Sequence, residues 1–135
     1  MAGRAGFATL DVCLLGERIS DHVWKLVAIC KPLARDTIGT QMIRSVDSIG
    51  ANRAEGSGRG TYRDNCHFVN IARGSLYETR HWLRRAFCHG LLTQKEIETL
   101  TPLIAELSPM LNSDRNSLKA KMIAEVAASK NKTHK

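Results

Sequence analysis

At 135 residues and 15.0 kDa, the chain suits one domain or one subunit of an assembly and is too short for two independent cores. Apolar residues at 43% suffice for a core, which three Phe, two Trp and two Tyr leave mostly aliphatic, and ten Gly with three Pro exclude a collagen-like or low-complexity chain. Twenty Lys and Arg against 13 Asp and Glu give a net charge of +7, which favours a polyanionic partner through Coulomb attraction and counterion release.

The first amphipathic segment places Leu15, Ile19, Val23, Leu26 and Cys30 at intervals of three and four, one stripe of an α-helix. It is predicted to begin near Val12, with Gly16 as a local weakness and Pro32 as its stop. A second helix is predicted from Asp36 or Thr37 to about Gly56, with Ile38, Met42, Val46 and Ile49 inward. Ser57-Gly58-Arg59-Gly60 then forms a turn. Thr61, three residues before Asp64, is placed to cap a third helix running to His89, with Gly90 closing it. Tyr62, Cys66, Val69, Leu76, Leu83 and Phe87 mark its expected buried side.

Thr93 and Glu96 form a capping box for the fourth helix, whose stripe is Ile97, Leu100, Ile104, Leu107 and Leu111. Pro102 predicts either a kink or a later start at Thr101, and Pro109 a bend or an end. Residues 114–135 hold six basic and two acidic residues and are read as a basic extension with a short extra helix to about Ala128, then a frayed Lys130–Lys135 end. No strand-like alternation competes. The expected fold is therefore all-α, an antiparallel up-and-down four-helix bundle over residues 1–113 followed by the extension.

Chemistry-bearing patterns are few. Cys13, Cys30, Cys66 and Cys88 form no C-x-x-C pair, and read as small buried residues in a reducing compartment. The first 15 residues lack a signal-like apolar core and no run of 18 apolar residues exists, so a cytoplasmic protein without a membrane span is expected. His67, His81 and His89 lack metal-ligand spacing, and the single Glu78-Thr-Arg-His81 stretch has no second copy, so neither a metal nor a cofactor is expected. The glycine-rich 56–60 turn follows a helix rather than a strand and lacks the closing Lys-Ser or Lys-Thr of a P-loop. No nucleophile, base and orienter occur in order, and no catalytic residue is assigned.

Polar residues at helical spacing are the clearest anomaly. Gln41, Arg44, Ser48, Asn52 and Glu55 line a second face of the second helix, and Arg73 and Glu78 flank Gly74-Ser75 on the third. These are read as a structural polar network, Arg44 or Arg73 pairing with Glu55 or Glu78, with Gly74 allowing a close backbone approach. Residues 53–85 contain seven Arg against three acids. Arg53, Arg59, Arg63, Arg80, Arg84 and Arg85, with Lys119 and Lys121 of the extension, are the candidates for contact with nucleic-acid phosphates. Trp82 is read as a core or interface residue before a base-stacking one.

Two blocks carry a family resemblance: Gln41-Met-Ile-Arg44-Ser-Val-Asp-Ser48-Ile49-Gly-Ala-Asn52-Arg-Ala54-Glu55-Gly56 with Arg59, and Phe68-Val-Asn-Ile71-Ala72-Arg73-Gly74-Ser75-Leu76-Tyr-Glu78. At this separation they resemble the 23S rRNA intervening-sequence proteins, also called the S23 ribosomal protein family, over about residues 15–113. The chain departs from that pattern at Asp47, usually apolar, at Gly50, often proline, and at Arg53, often isoleucine. The resemblance implies a left-handed four-helix bundle that assembles as a homopentamer. More distantly, the chain is similar to the accessory protein of diversity-generating retroelements, a basic pentameric bundle that works with a reverse transcriptase and nucleic acid. The expected function is non-enzymatic, sequence-neutral binding of RNA or DNA by a homo-oligomer. The alternative is a scaffold or accessory subunit that docks an acidic or reverse-transcriptase-like protein.

Overall fold

The computed structural model describes the backbone of residues 2–133 and the side chains of residues 9–131. Among the described residues there are four long helices and no strand: α1 (Ala2–Ala28), α3 (Thr40–Ser57), α4 (Tyr62–Cys88) and α5 (Gln94–Thr133). A three-residue helix α2 (Pro32–Ala34) and a π-helical turn (Arg35–Gly39) lead directly into α3. The helices follow the chain up and down. α3 packs between α1 and α4, and α5 closes the bundle against α4 and α1, which leaves α1 and α4 diagonal and parallel.

The aliphatic stripes meet in the core, with one correction: on α1 Val12 and Val27 are buried beside Ile19 and Val23, while Leu15 and Leu26 of the expected line are half-buried at its flank. Val12, Ile19, Val23 and Val27 of α1 meet Met42, Val46 and Ile49 of α3, Leu76 and Leu83 of α4, and Leu100, Ile104, Leu107 and Leu111 of α5. The Gly16 that reads as a weak point is a contact point: a Cβ there would lie 3.8 Å from the Gly50 amide nitrogen, so the α1 and α3 backbones pass close together. At the far end of α3, a Cβ on Gly56 would stand 2.9 Å from Asn65 Oδ1 and from Phe68 Cβ, so only glycine fits between α3 and the start of α4.

Both capping expectations hold. The Thr61 hydroxyl accepts from the Asp64 amide at 3.1 Å, and at α5 the Thr93 and Glu96 side chains each accept from the other's amide, at 3.2 and 2.9 Å. Gly90, with φ of +73°, takes the left-handed position after α4.

Several boundaries and burial expectations are corrected. α1 extends back to Ala2, well before Val12. Pro32 begins the next helical segment as well as ending α1, because a first-turn residue needs no amide donor. Tyr62 and Phe87 are exposed, since the crowded side of α4 is filled by the smaller Ala72, Ser75, Thr79 and Ala86. Cys66 is buried, but Cys13 and Cys30 are half-buried and Cys88 is exposed. Gly74 faces outward, where an added Cβ would meet nothing within 4 Å.

The largest difference concerns α5. It is one helix of 40 residues containing both Pro102 and Pro109, with no separate extra helix after residue 113. Its apolar line simply continues, and Leu118 with Met122 packs on Cys66 and Val69 of α4. The helix continues through Thr133 where the frayed end is predicted; His134 and Lys135 lie outside the described residues.

Candidate functional site

The polar residues on α3 and α4 come together in pairs other than those spacing suggests. Asn52 donates to the Ser48 carbonyl and hydroxyl, both at 2.8 Å, and the Ser48 and Ser75 hydroxyls lie 2.8 Å apart across the two helices. Arg73 Nε donates to Asn112 Oδ1 of α5 at 2.8 Å. Glu78 accepts from the indole of Trp82, whose ring packs against the core, and Glu55 pairs with Arg59. Gln41 is half-buried on α3, while Arg44 and Glu78 are exposed. The expected pairing of Arg44 or Arg73 with Glu55 or Glu78 is therefore replaced: the arginine of the network reaches α5.

Arg53 differs from the other basic candidates. Its side chain is 4% exposed, its Nε lies 2.8 Å from Asp114 Oδ2, and its Nη1 donates to Asn65 Oδ1 at 3.1 Å. Asp114 is itself only 11% exposed. This is an interior ion pair joining α3, α4 and α5, with its guanidinium turned away from the surface where a phosphate would approach. Nearby, burial pushes the Cys13 thiol above its ordinary pKa; the Arg53 guanidinium opposes this and Glu17 reinforces it.

The remaining basic candidates divide into two groups. Around the α3–α4 turn, Arg63 is exposed, Arg59 lies over the Phe68 ring at 4.8 Å, and Lys121 Nζ lies 5.6 Å from the centre of the Tyr62 ring. Lys119 is exposed one turn or less from Lys121. Continuation of α5 beyond Pro109 is what carries these lysines to the start of α4. Arg80, Arg84 and Arg85 lie further along α4, about 30 Å from Arg63 at 1.5 Å per residue. Arg80 and Arg84 are exposed, whereas Arg85 is half-buried and bonded to His89 at 3.2 Å.

Spacing on α4 shows neither Asp114, Asn112 nor Asn65 as partners. For Asp114 a signal exists: it falls three residues after Leu111 and four before Leu118, on the inward line of α5. Among the described residues no group of three or more His, Cys, Asp or Glu is placed to hold a metal, and no helix is long and apolar enough to cross a membrane.

Residues 8–113 match the family described as 23S rRNA-intervening sequence protein. The chain belongs to this family. The match contains both polar blocks of α3 and α4, and it ends one residue before Asp114. No curated protein matches the chain. Among solved structures, a protein of unknown function from the S23 ribosomal protein family of Bacteroides thetaiotaomicron has the same fold, with a TM-score of 0.72 at 22% identity, over 81% of this chain and 98% of that one. The family match thus spans the bundle, and Asp114, Leu118, Lys119 and Lys121 lie after the matched residues.

Proposed function

We propose that the protein is a non-enzymatic, cytoplasmic homo-oligomer that binds RNA or DNA with little sequence preference, the pentamer of the family resemblance being the expected assembly. The observation that carries this reading is the placing of Arg59, Arg63, Lys119 and Lys121 at one end of the bundle, from a turn and two helices far apart in sequence, with Lys121 beside the exposed ring of Tyr62. Arg59 is held by Glu55 at 2.8 Å, but both are exposed, so the pair is weak and a phosphate can compete for the guanidinium. Nothing here reads base edges, so affinity comes from phosphates and falls with salt. Repetition of the cluster in an oligomer raises its effective concentration along one nucleic acid.

The test is binding of mixed-sequence single- and double-stranded RNA and DNA at about 50 and 200 mM salt. The wild type binds at low salt and loses affinity steeply, and Arg63→Gln with Lys119→Gln and Lys121→Gln lowers the salt slope by about one for each phosphate contact removed. Absence of binding at low salt, or binding indifferent to salt, would overturn the reading.

A further inference from the structure

The outer line of α1 runs Leu14, Glu17, Asp21, Trp24, at intervals of three, four and three. All four are exposed, Leu14 by 53% and Trp24 by 62%. The outer line of α4 runs Tyr77, Arg80, Arg84, Phe87 at the same intervals, Tyr77 exposed by 53% and Phe87 by 47%. One line is apolar, acid, acid, apolar; the other is aromatic, base, base, aromatic. Each covers eleven residues, ten steps of the helix or about 15 Å. Among the described residues none of these four charges has an ion-pair partner in its own chain.

The two lines sit on diagonal helices and so face away from one another. They cannot meet within one molecule. We propose that they meet between molecules: the α1 line of one copy docks on the α4 line of the next, pairing Leu14 with Tyr77, Glu17 with Arg80, Asp21 with Arg84 and Trp24 with Phe87. The inference rests on the homo-oligomeric reading above and names the faces that build it.

Three further features fit this occupant. The charge complementarity extends behind each line. A groove of about 330 Å³ between α1 and α3 is lined by Glu17, Asp21 and Asp47, and a groove of about 330 Å³ between α4 and α5 is lined by Arg80 and Arg84. The lines also lie at one level of the bundle, because Leu26 and Cys30 beyond the end of the α1 line share a pocket with His89 and Leu91 beyond the end of the α4 line. Since α1 and α4 run parallel, equal levels bring the four pairs into register without sliding one copy along the bundle axis. Finally, the exposed Leu10 lies one turn before Leu14, level in this register with Arg73 and next to the outward-facing Gly74, where the missing side chain leaves room.

Such a contact joins two different faces, so each copy keeps one free face after pairing and assembly proceeds past a dimer until a ring closes. Arg80 and Arg84 then belong to the subunit contact, and the polyanion surface narrows to the Arg59, Arg63, Lys119 and Lys121 end.

Sedimentation of the full chain at several concentrations tests this, with circular dichroism reporting helix content. The wild type sediments as an oligomer larger than a dimer. Glu17→Arg with Asp21→Arg, or Arg80→Glu with Arg84→Glu, places like charges opposite each other and weakens association by about 100-fold or more. An equimolar mixture of these two variants associates past a dimer with the two alternating, because each variant's α1 line meets opposite charge on the other's α4 line, and all four substitutions in one chain restore the wild-type mass. If a reversed variant loses helix content, Glu17→Gln with Asp21→Asn gives the milder shift in the same direction. Variants that keep the wild-type mass, or a mixture that stays monomeric, would overturn the docking while leaving the oligomer standing; a wild type that is monomeric throughout would remove both.

Discussion

Replacing Asp114 with alanine is expected to destabilise the protein by about 3–5 kcal/mol, because it leaves the buried Arg53 guanidinium without its counter-charge. Asn65 remains as a neutral acceptor on one nitrogen and cannot replace a carboxylate 2.8 Å from Nε. The check is chemical denaturation, with the midpoint falling and the slope unchanged. The charge itself is not what the fold requires. Arg53→Met with Asp114→Leu removes both ions and fills similar space, and its expected stability lies near that of the wild type. If Asp114→Ala and the double replacement were equally damaging, packing rather than an uncompensated charge would explain the loss.

Leu107→Ala is expected to cost about 2–5 kcal/mol, measured by the same titration. Leu107 is fully buried and lies between Pro102 and Pro109. Each proline removes an amide donor and crowds the preceding turn of α5. This stretch of helix is therefore held to the bundle chiefly by the side chains of Leu100, Ile104, Leu107 and Leu111, all of them in the core. Truncating the middle of that row opens a cavity where backbone hydrogen bonding is poorest. A cost below about 1 kcal/mol would mean that the neighbouring helices collapse into the space.

These two expectations also mark where sequence reading succeeds and where it stops. The core rows of α1, α3 and α5 are legible because a helix buries one face, and intervals of three and four follow from 3.6 residues per turn. The Thr61 and Thr93 caps are legible because each involves only residues three apart. Pro109 reads from a local rule about one missing donor as a bend or an end, and the end is excluded because the inward row Leu111, Asp114, Leu118 carries the helix on. Tyr62 and Phe87 mislead because size suggests burial, whereas the close approach of α3 and α4 favours Ala72, Ser75 and Ala86. Arg53 is the instructive case. Its charge reads as surface, but its seat is interior, and the partner that makes this tolerable lies 61 residues away. No spacing rule on α3 reaches that far. Lys119 and Lys121 are legible as a basic tail, but the seat of Lys121 beside Tyr62 at the start of α4 depends on the unbroken α5.

The matched lines of α1 and α4 are present in the sequence as two 3-4-3 patterns, yet only the bundle shows that both are exposed, diagonal and level. Covalent capture tests that register most directly. With Cys88 replaced by serine, Leu14→Cys together with Tyr77→Cys is oxidised and run under denaturing conditions. The expected result is a ladder of linked copies that collapses on reduction, with no ladder when His67→Cys is used in place of Tyr77→Cys. A Leu14–Tyr77 sample that stays monomeric while the uncrosslinked protein is oligomeric would contradict the pairing of these two faces.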